Sequence, residues 1–477
     1  MERNPEIPNS SAKSVTELQK ISTHIEGLDE ILHGGLPAGR TTLVSGGPGT
    51  GKSVLGLEFL YKGALSGNPG IFIAFEETGE SIRQNALTFG WDLASLEQAG
   101  TLFLMEGQLD PHVLLSGDFN LKGLFAIIEG KIQQMGADNI VIDAIDVLMR
   151  IFDDPKRQQD EIFALNKWLK DKKMTAILTA KKIKDTDPSD YLDFMADCVI
   201  YLDQKIREQV VTKRLQIVKY RGSSYGGNEY PFFISNEGLH CYPISDVVMH
   251  YESALKRVSS GNESLDAILG GGYQRGRCIL ITGATGTGKT AVASTFTRSA
   301  CEEGQKVLYV NYEECSDGMV AGMLSLGIDL RLAINDSALE VIPMMPESMG
   351  IEEHLFRITR AIRHFDPHHL VVDAISANKR IAGEEAAFDF LIRLVGVCKK
   401  KGITVLLINQ ATRLSEHHEI SGMGISSLID TIITLQYKDM GNEVGRNLLV
   451  MKSRGTKHSN KYHSYSLTDQ GIRIEEG

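Results

Sequence analysis

The sequence predicts an α/β fold written twice in tandem. Each copy is a mostly parallel sheet with helices on both faces and an antiparallel extension at its C-terminal end. Three observations carry this. A glycine-rich stretch, Gly46-Gly47-Pro48-Gly49-Thr50-Gly51-Lys52-Ser53, recurs as Gly283-Ala284-Thr285-Gly286-Thr287-Gly288-Lys289-Thr290. Apolar strand-like runs alternate with amphipathic helical runs around it, the pattern of parallel strands joined by helical crossovers. The two halves also fall into register. An offset of 237 carries Lys52 to Lys289, Gly34-Gly35 to Gly271-Gly272 and Glu76-Glu77 to Glu313-Glu314; 230 carries Asp143 to Asp373, and 233 carries Arg221-Gly222 to Arg454-Gly455. Loop-sized indels account for the slippage, and a period this long is a duplicated domain rather than a solenoid repeat.

In chain order, the first copy predicts a strand at 42–45, a helix at 54–65 and a strand at 70–75. A helix at 81–89, a strand at 102–104 and a helix at 121–135 follow, then a strand at 140–142, a helix at 159–172 and a strand at 176–179. The runs 199–202, 214–220 and 232–234 have no helix between them and read as antiparallel hairpins. In the second copy, residues 279–282 and 291–301 repeat the opening strand and helix. The boundary falls in a polar stretch, giving a flexible tail at 1–18, a first domain at 19–247, a linker at 248–256 and a second domain at 257–477.

With 477 residues, 42% hydrophobic and 23% charged, the chain has the composition of a globular protein with room for two cores. A formal net charge of −11 supplies no field for gathering nucleic acid or anionic lipid. The six cysteines are scattered without a C-x-x-C, and most lie in apolar runs, which argues against zinc, iron–sulfur or disulfide frameworks. No apolar run predicts a signal peptide or a membrane span, so a cytoplasmic protein is expected.

The glycine-rich stretch fits G-x-x-x-x-G-K-[ST], a phosphate cradle. Its glycines let successive backbone N–H groups turn toward one anion at a helix N-terminus. Lys52 and Lys289 would reach the β- and γ-phosphates, and Ser53 and Thr290 would ligate Mg²⁺. Asp143 and Asp373 each end a buried apolar strand, read as lying beside the first strand, and suit a Mg²⁺ role. The paired glutamates Glu76-Glu77 and Glu313-Glu314 end the strand after the loop helix, where a carboxylate can orient or deprotonate a nucleophile. Helix N-terminal charge is the competing role; Glu76 and Glu313 are read as nearest the nucleophile. Lys219-Tyr220-Arg221-Gly222-Ser223 and Lys452-Ser453-Arg454-Gly455-Thr456 place two cations on one strand face by the two-residue period, fitting a finger acting across a subunit interface. One asymmetry stands out. Asp430 corresponds to Asp197, so Ser426-Ser427 occupy the place of Asp193-Phe194, giving hydroxyls to the second domain alone; Ser421 is a weaker third candidate.

Together with Ile25-Glu26-Gly27-Leu28-Asp29-Glu30, His33-Gly34-Gly35-Leu36-Pro37 and Ile425-Ser426-Ser427-Leu428-Ile429-Asp430, these features resemble the KaiC family of circadian tandem ATPases and autokinases, within the RecA-like superfamily. The resemblance runs from about Ile21 to Ile474. It implies two RecA-like domains, a double-ring homohexamer, and ATP with Mg²⁺ bound between subunits in both rings. Hydrolysis would occur in the first ring through Glu76 and Glu77. Phosphoryl transfer onto Ser426 and Ser427, with reversal as an autophosphatase, would occur in the second, through Glu313 assisted by Glu314. The implied nucleotide contacts are Gly49, Thr50, Gly51, Lys52, Ser53 and Val54 with Lys219, Tyr220, Arg221 and Ser223. In the second domain they are Thr285, Gly286, Thr287, Gly288, Lys289, Thr290 and Ala291 with Lys452, Ser453, Arg454, Thr456 and His458. The metal set is Ser53, Asp143, Thr290, Glu313 and Asp373. Ser427 departs from the family's frequent Ser-Thr pair without losing a nucleophile. Because the sequence stops at Glu475-Glu476-Gly477, no KaiA dependence is expected, while a KaiB-like partner on the first ring is compatible. Circadian, stress-signalling or simpler timing outputs all fit. A RecA- or DnaB-like DNA motor and a non-catalytic ATP-gated scaffold are the competing readings.

Overall fold

The computed structural model describes residues 18–107, 121–152, 154–182, 190–207, 210–243, 256–346, 349–410, 428–441 and 443–475. The chain divides into two compact units, Met1–Gln204 with Lys213–Pro243, and Ile244–Gly477 with Lys205–Thr212.

The first unit is built on a nine-stranded sheet. Its order from one edge is Leu102–Glu106, Gly70–Ala74, Asn139–Asp143, Thr175–Lys181, Thr41–Gly46, Cys198–Arg207, Val210–Tyr220, Glu229–Ser235 and Gly238–Cys241. The first six run parallel. Alternate residues of one strand enter opposite cores: Phe72 and Ala74 join one apolar cluster, Ile71 and Ile73 the other. That two-sided burial explains why these strands read as continuous apolar runs. Helix Lys52–Leu65 buries Leu55, Leu57, Phe59 and Leu60 against the sheet, and Gly56 permits the approach, since a Cβ there would sit 2.8 Å from Val141. The second unit repeats the design. Its order is Leu339–Pro343, Val307–Asn311, His369–Asp373, Thr404–Gln410, Cys278–Gly283, Thr431–Asp439, Val444–Ser453, His463–Thr468 and Gly471–Ile474. Six parallel strands are again followed by three antiparallel ones.

Three expectations need correction. The strand ending in Asp143 is not beside the opening strand; Thr175–Lys181 lies between them, as Thr404–Gln410 does in the second unit. Order along the chain does not reveal order across a sheet. Residues 199–202 belong not to a hairpin pair alone but to the sixth parallel strand, entered through the short helix Asp190–Met195. Two helices begin earlier than their apolar periodicity indicates. Thr78 accepts the Ser81 N–H and starts Gly79–Leu87, while Asp154 accepts the Lys156 N–H ahead of Pro155 and starts Pro155–Asp171.

Candidate functional site

Each glycine-rich stretch is the turn between the central strand and the helix that follows. Gly49 and Gly51 have φ of 70° and 99°, and Gly286 and Gly288 of 78° and 91°, the left-handed region that glycine enters without penalty. Space is also short: a Cβ on Gly51 would lie 2.5 Å from Ile234, and one on Gly288 2.9 Å from Leu467. Thr50 Oγ1 donates to the Gly47 carbonyl at 2.9 Å and Thr287 Oγ1 to Ala284 at 2.8 Å, bracing both loops alike. Lys52 Nζ lies over its loop, 3.0 Å from the Gly46 carbonyl and 2.9 Å from Gly47, and Lys289 Nζ is 2.8 Å from the Ala284 carbonyl. Val54 packs against the core of its unit and Ala291 is buried in its own.

At the first turn of each helix, Ser53 Oγ donates to Asp143 Oδ1 at 3.1 Å and Thr290 Oγ1 to Asp373 Oδ2 at 2.8 Å. Burial raises the pKa of both aspartates above the ordinary carboxylate range, against the hydrogen bonds that favour their charge. Burial lowers both lysines, partly offset by the same aspartates. Each site therefore pairs a desolvated cation with a desolvated anion, where a polyphosphate and its cation gain most. Among the described residues no group of three or more His, Cys, Asp or Glu could hold a metal alone. A hydroxyl with one carboxylate suits Mg²⁺, which keeps waters and takes its remaining ligands from phosphates.

The glutamates divide their roles. Glu77 accepts from Ser81 Oγ at 3.2 Å and Asn85 Nδ2 at 3.1 Å, which ties it to the helix it precedes, while its charge also acts on Asp143. Glu76 is exposed, and its charge acts on Lys52. Glu313 and Glu314 are exposed, both backbone N–H groups bonded to Asn311 Oδ1 at 3.0 and 3.2 Å, and the Glu313 charge acts on Lys289 and Asp373.

The Lys-x-Arg pairs lie at the sheet edge opposite their own loops. Lys452 pairs with Ile432, which pairs with Leu280 near the start of the central strand, whereas the loop leaves from Gly283 at its end, about 10 Å along a strand. Arg454 N–H donates to the Asp430 carbonyl and Asp430 N–H to Cys278; Arg221 and Asp197 repeat this against Thr41. The strands end at Tyr220 and Ser453, so both arginines sit in the turn beyond, and the two-residue period covers only the lysines. Lys219 and Arg221 nonetheless converge on the Phe194 carbonyl, at 3.1 and 2.8 Å. Tyr220 is turned into the core, its hydroxyl donating to the Gly35 carbonyl at 2.7 Å, which leaves only its backbone for a nucleotide. Ser453 bonds Thr431 and Thr456, Ser223 donates to the Ser224 carbonyl, and His458 Nδ1 lies 3.4 Å from the Thr456 carbonyl, all at this far edge. Ser421, Ser426 and Ser427 lie outside the described residues.

Other residues at the loops escaped the sequence reading. Lys213 Nζ, its pKa lowered by burial, bonds the Gly49 carbonyl and Gln204; in the second unit Tyr437 OH donates to the Thr285 carbonyl at 3.1 Å with Arg446 over its ring. Tyr312, His354 and Asn378 are buried where the register places Phe75, Leu124 and Leu148 in the first unit. The doubled register carried that signal as an apolar-to-polar exchange.

A family model described as "ATPase: KaiC" matches residues 21–246 and again residues 258–477. The chain is 35% identical over 477 residues to the circadian clock oscillator protein KaiC of Parathermosynechococcus lividus, spanning 98% of this chain and 88% of that protein. To the protein of the same name from Synechococcus elongatus it is 35% identical over 474 residues, 98% of this chain and 91% of that one. To the circadian clock protein KaiC2 of Synechocystis the figure is 35% over 464 residues, 96% and 82% of the two chains.

Proposed function

The chain belongs to the KaiC family of ATPases, and from that premise we propose that both units bind Mg²⁺-ATP, the first hydrolysing it and the second transferring the γ-phosphoryl group to Ser426 and Ser427. The observation that carries the reading is the doubled contact of loop hydroxyl and buried aspartate, Ser53 with Asp143 and Thr290 with Asp373. Lys52 and Lys289 hold the phosphates, and loop N–H groups orient them. Ser53 with Asp143, and Thr290 with Asp373, would hold the Mg²⁺ of their unit, which would supply positive charge against the charge developing on the phosphates. Glu76 accepts a proton from water in the first unit, and Glu313 from the serine hydroxyl in the second; the freed oxygen attacks phosphorus as ADP leaves.

ATP lies between chains of a homohexamer. Lys452 stands about 10 Å of strand away from its own loop and Arg454 further, and Arg221 repeats that placement at the start of its central strand, so a neighbour's nucleotide is the one these cations meet. In the sequence Ser426 and Ser427 come four and three residues before Asp430, whose carbonyl accepts the Arg454 N–H. The names of the relatives support a timing role, and a KaiB-like partner on the first ring is compatible with it. No helix among the described residues is long and apolar enough to cross a membrane.

The test is incubation with [γ-³²P]ATP and Mg²⁺, followed by phosphopeptide mapping. Label on Ser426 or Ser427 is expected, lost in Lys289→Ala and retained in Lys52→Ala. An unlabelled intact assembly overturns the kinase half while leaving hydrolysis to be scored separately by phosphate release.

A further inference from the structure

Each metal-side aspartate receives a second hydroxyl, and the two units take it from opposite neighbouring strands. In the first unit Thr179 Oγ1 donates to Asp143 Oδ1 at 2.5 Å, on the oxygen that also receives Ser53. The same Thr179 oxygen accepts the Ala144 N–H at 2.8 Å, so the hydroxyl links the carboxylate to the backbone just beyond it. In the second unit Tyr309 OH donates to Asp373 Oδ2 at 2.9 Å, again on the oxygen that receives the loop hydroxyl, Thr290. The sheet registers make the exchange unambiguous. Phe72 pairs with Val141 as Tyr309 pairs with Val371, and Thr179 pairs with Val44 as Ile408 pairs with Ile281. The first unit thus has Phe72 and Thr179 where the second has Tyr309 and Ile408. The number of donors is kept while their source crosses from one side of the aspartate strand to the other.

Packing does not explain Tyr309. It is fully buried, and Phe72 shows that a ring without a hydroxyl fills the same place in the same fold. A phenol in that interior would cost stability without partners; it donates to the aspartate, and Ser294 is a second hydrogen-bond partner of the same hydroxyl. Two hydrogen bonds on one carboxylate oxygen resist rotation of the group, and so hold the other oxygen in a set direction. Mg²⁺ tolerates little departure from octahedral geometry, so a carboxylate that turns freely is a poor anchor for the cation or its waters.

We propose that Tyr309 and Thr179 are positioning residues that fix the Mg²⁺-side aspartate of their own unit, two non-homologous solutions to one requirement. The proposal rests on each loop taking Mg²⁺-ATP. Its test uses the full chain, with Lys52→Ala silencing the first unit, and reads the Mg²⁺ concentration at which a fluorescent ATP analogue binds half-maximally. Tyr309→Phe should raise that concentration about tenfold, the usual cost of losing an outer partner of a metal ligand. Adding Ile408→Thr supplies the first unit's arrangement and should restore the midpoint to within about threefold of the unsubstituted site. The mirror experiment, with Lys289→Ala silencing the second unit, pairs Thr179→Val with Phe72→Tyr. An unmoved midpoint in a Tyr309→Phe chain with parental melting overturns the proposal, as does a double variant that stays displaced. Analogue binding that ignores Mg²⁺ in the unsubstituted chain overturns the reading of the site itself, and this inference with it.

Discussion

At Asp373, burial opposes ionisation while two hydroxyls favour it, and burial is the larger effect. A carboxyl whose folded pKa is raised stabilises the fold below its ordinary value and loses that contribution as pH rises through the raised one. At neutral pH the charged group is therefore a cost kept for function. Asp373→Asn should stabilise the nucleotide-free chain by about 1 kcal/mol at neutral pH, the gain fading on acidification, while abolishing Mg²⁺-dependent nucleotide binding in that unit. Thermal melts across a pH series check the first part, and analogue titration the second. The glutamates give a ranking. Glu77 is held by Ser81 and Asn85, so Glu76→Gln should slow phosphate release about 100-fold with nucleotide affinity kept, and Glu77→Gln distinctly less. The reverse order would move the base to Glu77. Lys52, Ser53 and Asp143, with their counterparts, were legible because a motif and a doubled spacing point to them. Thr179, Tyr309, Asn311 and Lys213 were not, since each acts on a partner that only the folded chain makes a neighbour.

Among elements, the central strands were the most readable part of the chain, because burial on both faces leaves no polar alternation to confuse them. Their lateral order was not readable: one strand separates each aspartate from its loop strand, and the aspartate reaches the loop helix over that gap through Ser53 or Thr290. A further core position differs in chemistry between the units. His369 opens the aspartate strand of the second unit, its ring edge-on to Phe296 at 5.1 Å and its Nε2 bonded to Gln305, where Asn139 stands in the first. Burial pushes its pKa down to about 3. A depressed histidine gives stability that is present above its ordinary value and is lost as pH falls toward the folded one. The second unit should thus weaken on acidification below about pH 6.5, by up to about 1.4 kcal/mol per pH unit from this group. His369→Asn, the first unit's own solution, should flatten that limb in acid-unfolding curves read by circular dichroism.

For the whole molecule, the proposed hexamer makes a complementation prediction. Chains carrying Arg454→Ala and chains carrying Lys289→Ala should each fail to label alone. Mixed assemblies should recover a measurable fraction, because some junctions join an intact loop to an intact arginine. Mixtures that stay silent would place loop and arginine within one chain. Native mass spectrometry with and without ATP checks assembly in the same samples. The net charge of −11 fits such a self-associating ATPase better than a DNA motor, and filter binding at low salt should retain no DNA. The sheet edge that carries Lys452 and Arg454 away from their own loop has a final consequence. The two surfaces that meet at a junction are different surfaces, so the contact is head-to-tail and cannot end in a symmetric pair. In the proposed ring every chain then gives in one rotational sense and receives in the other, so a chain that loses its loop silences the junction on one side and a chain that loses its arginine the junction on the other.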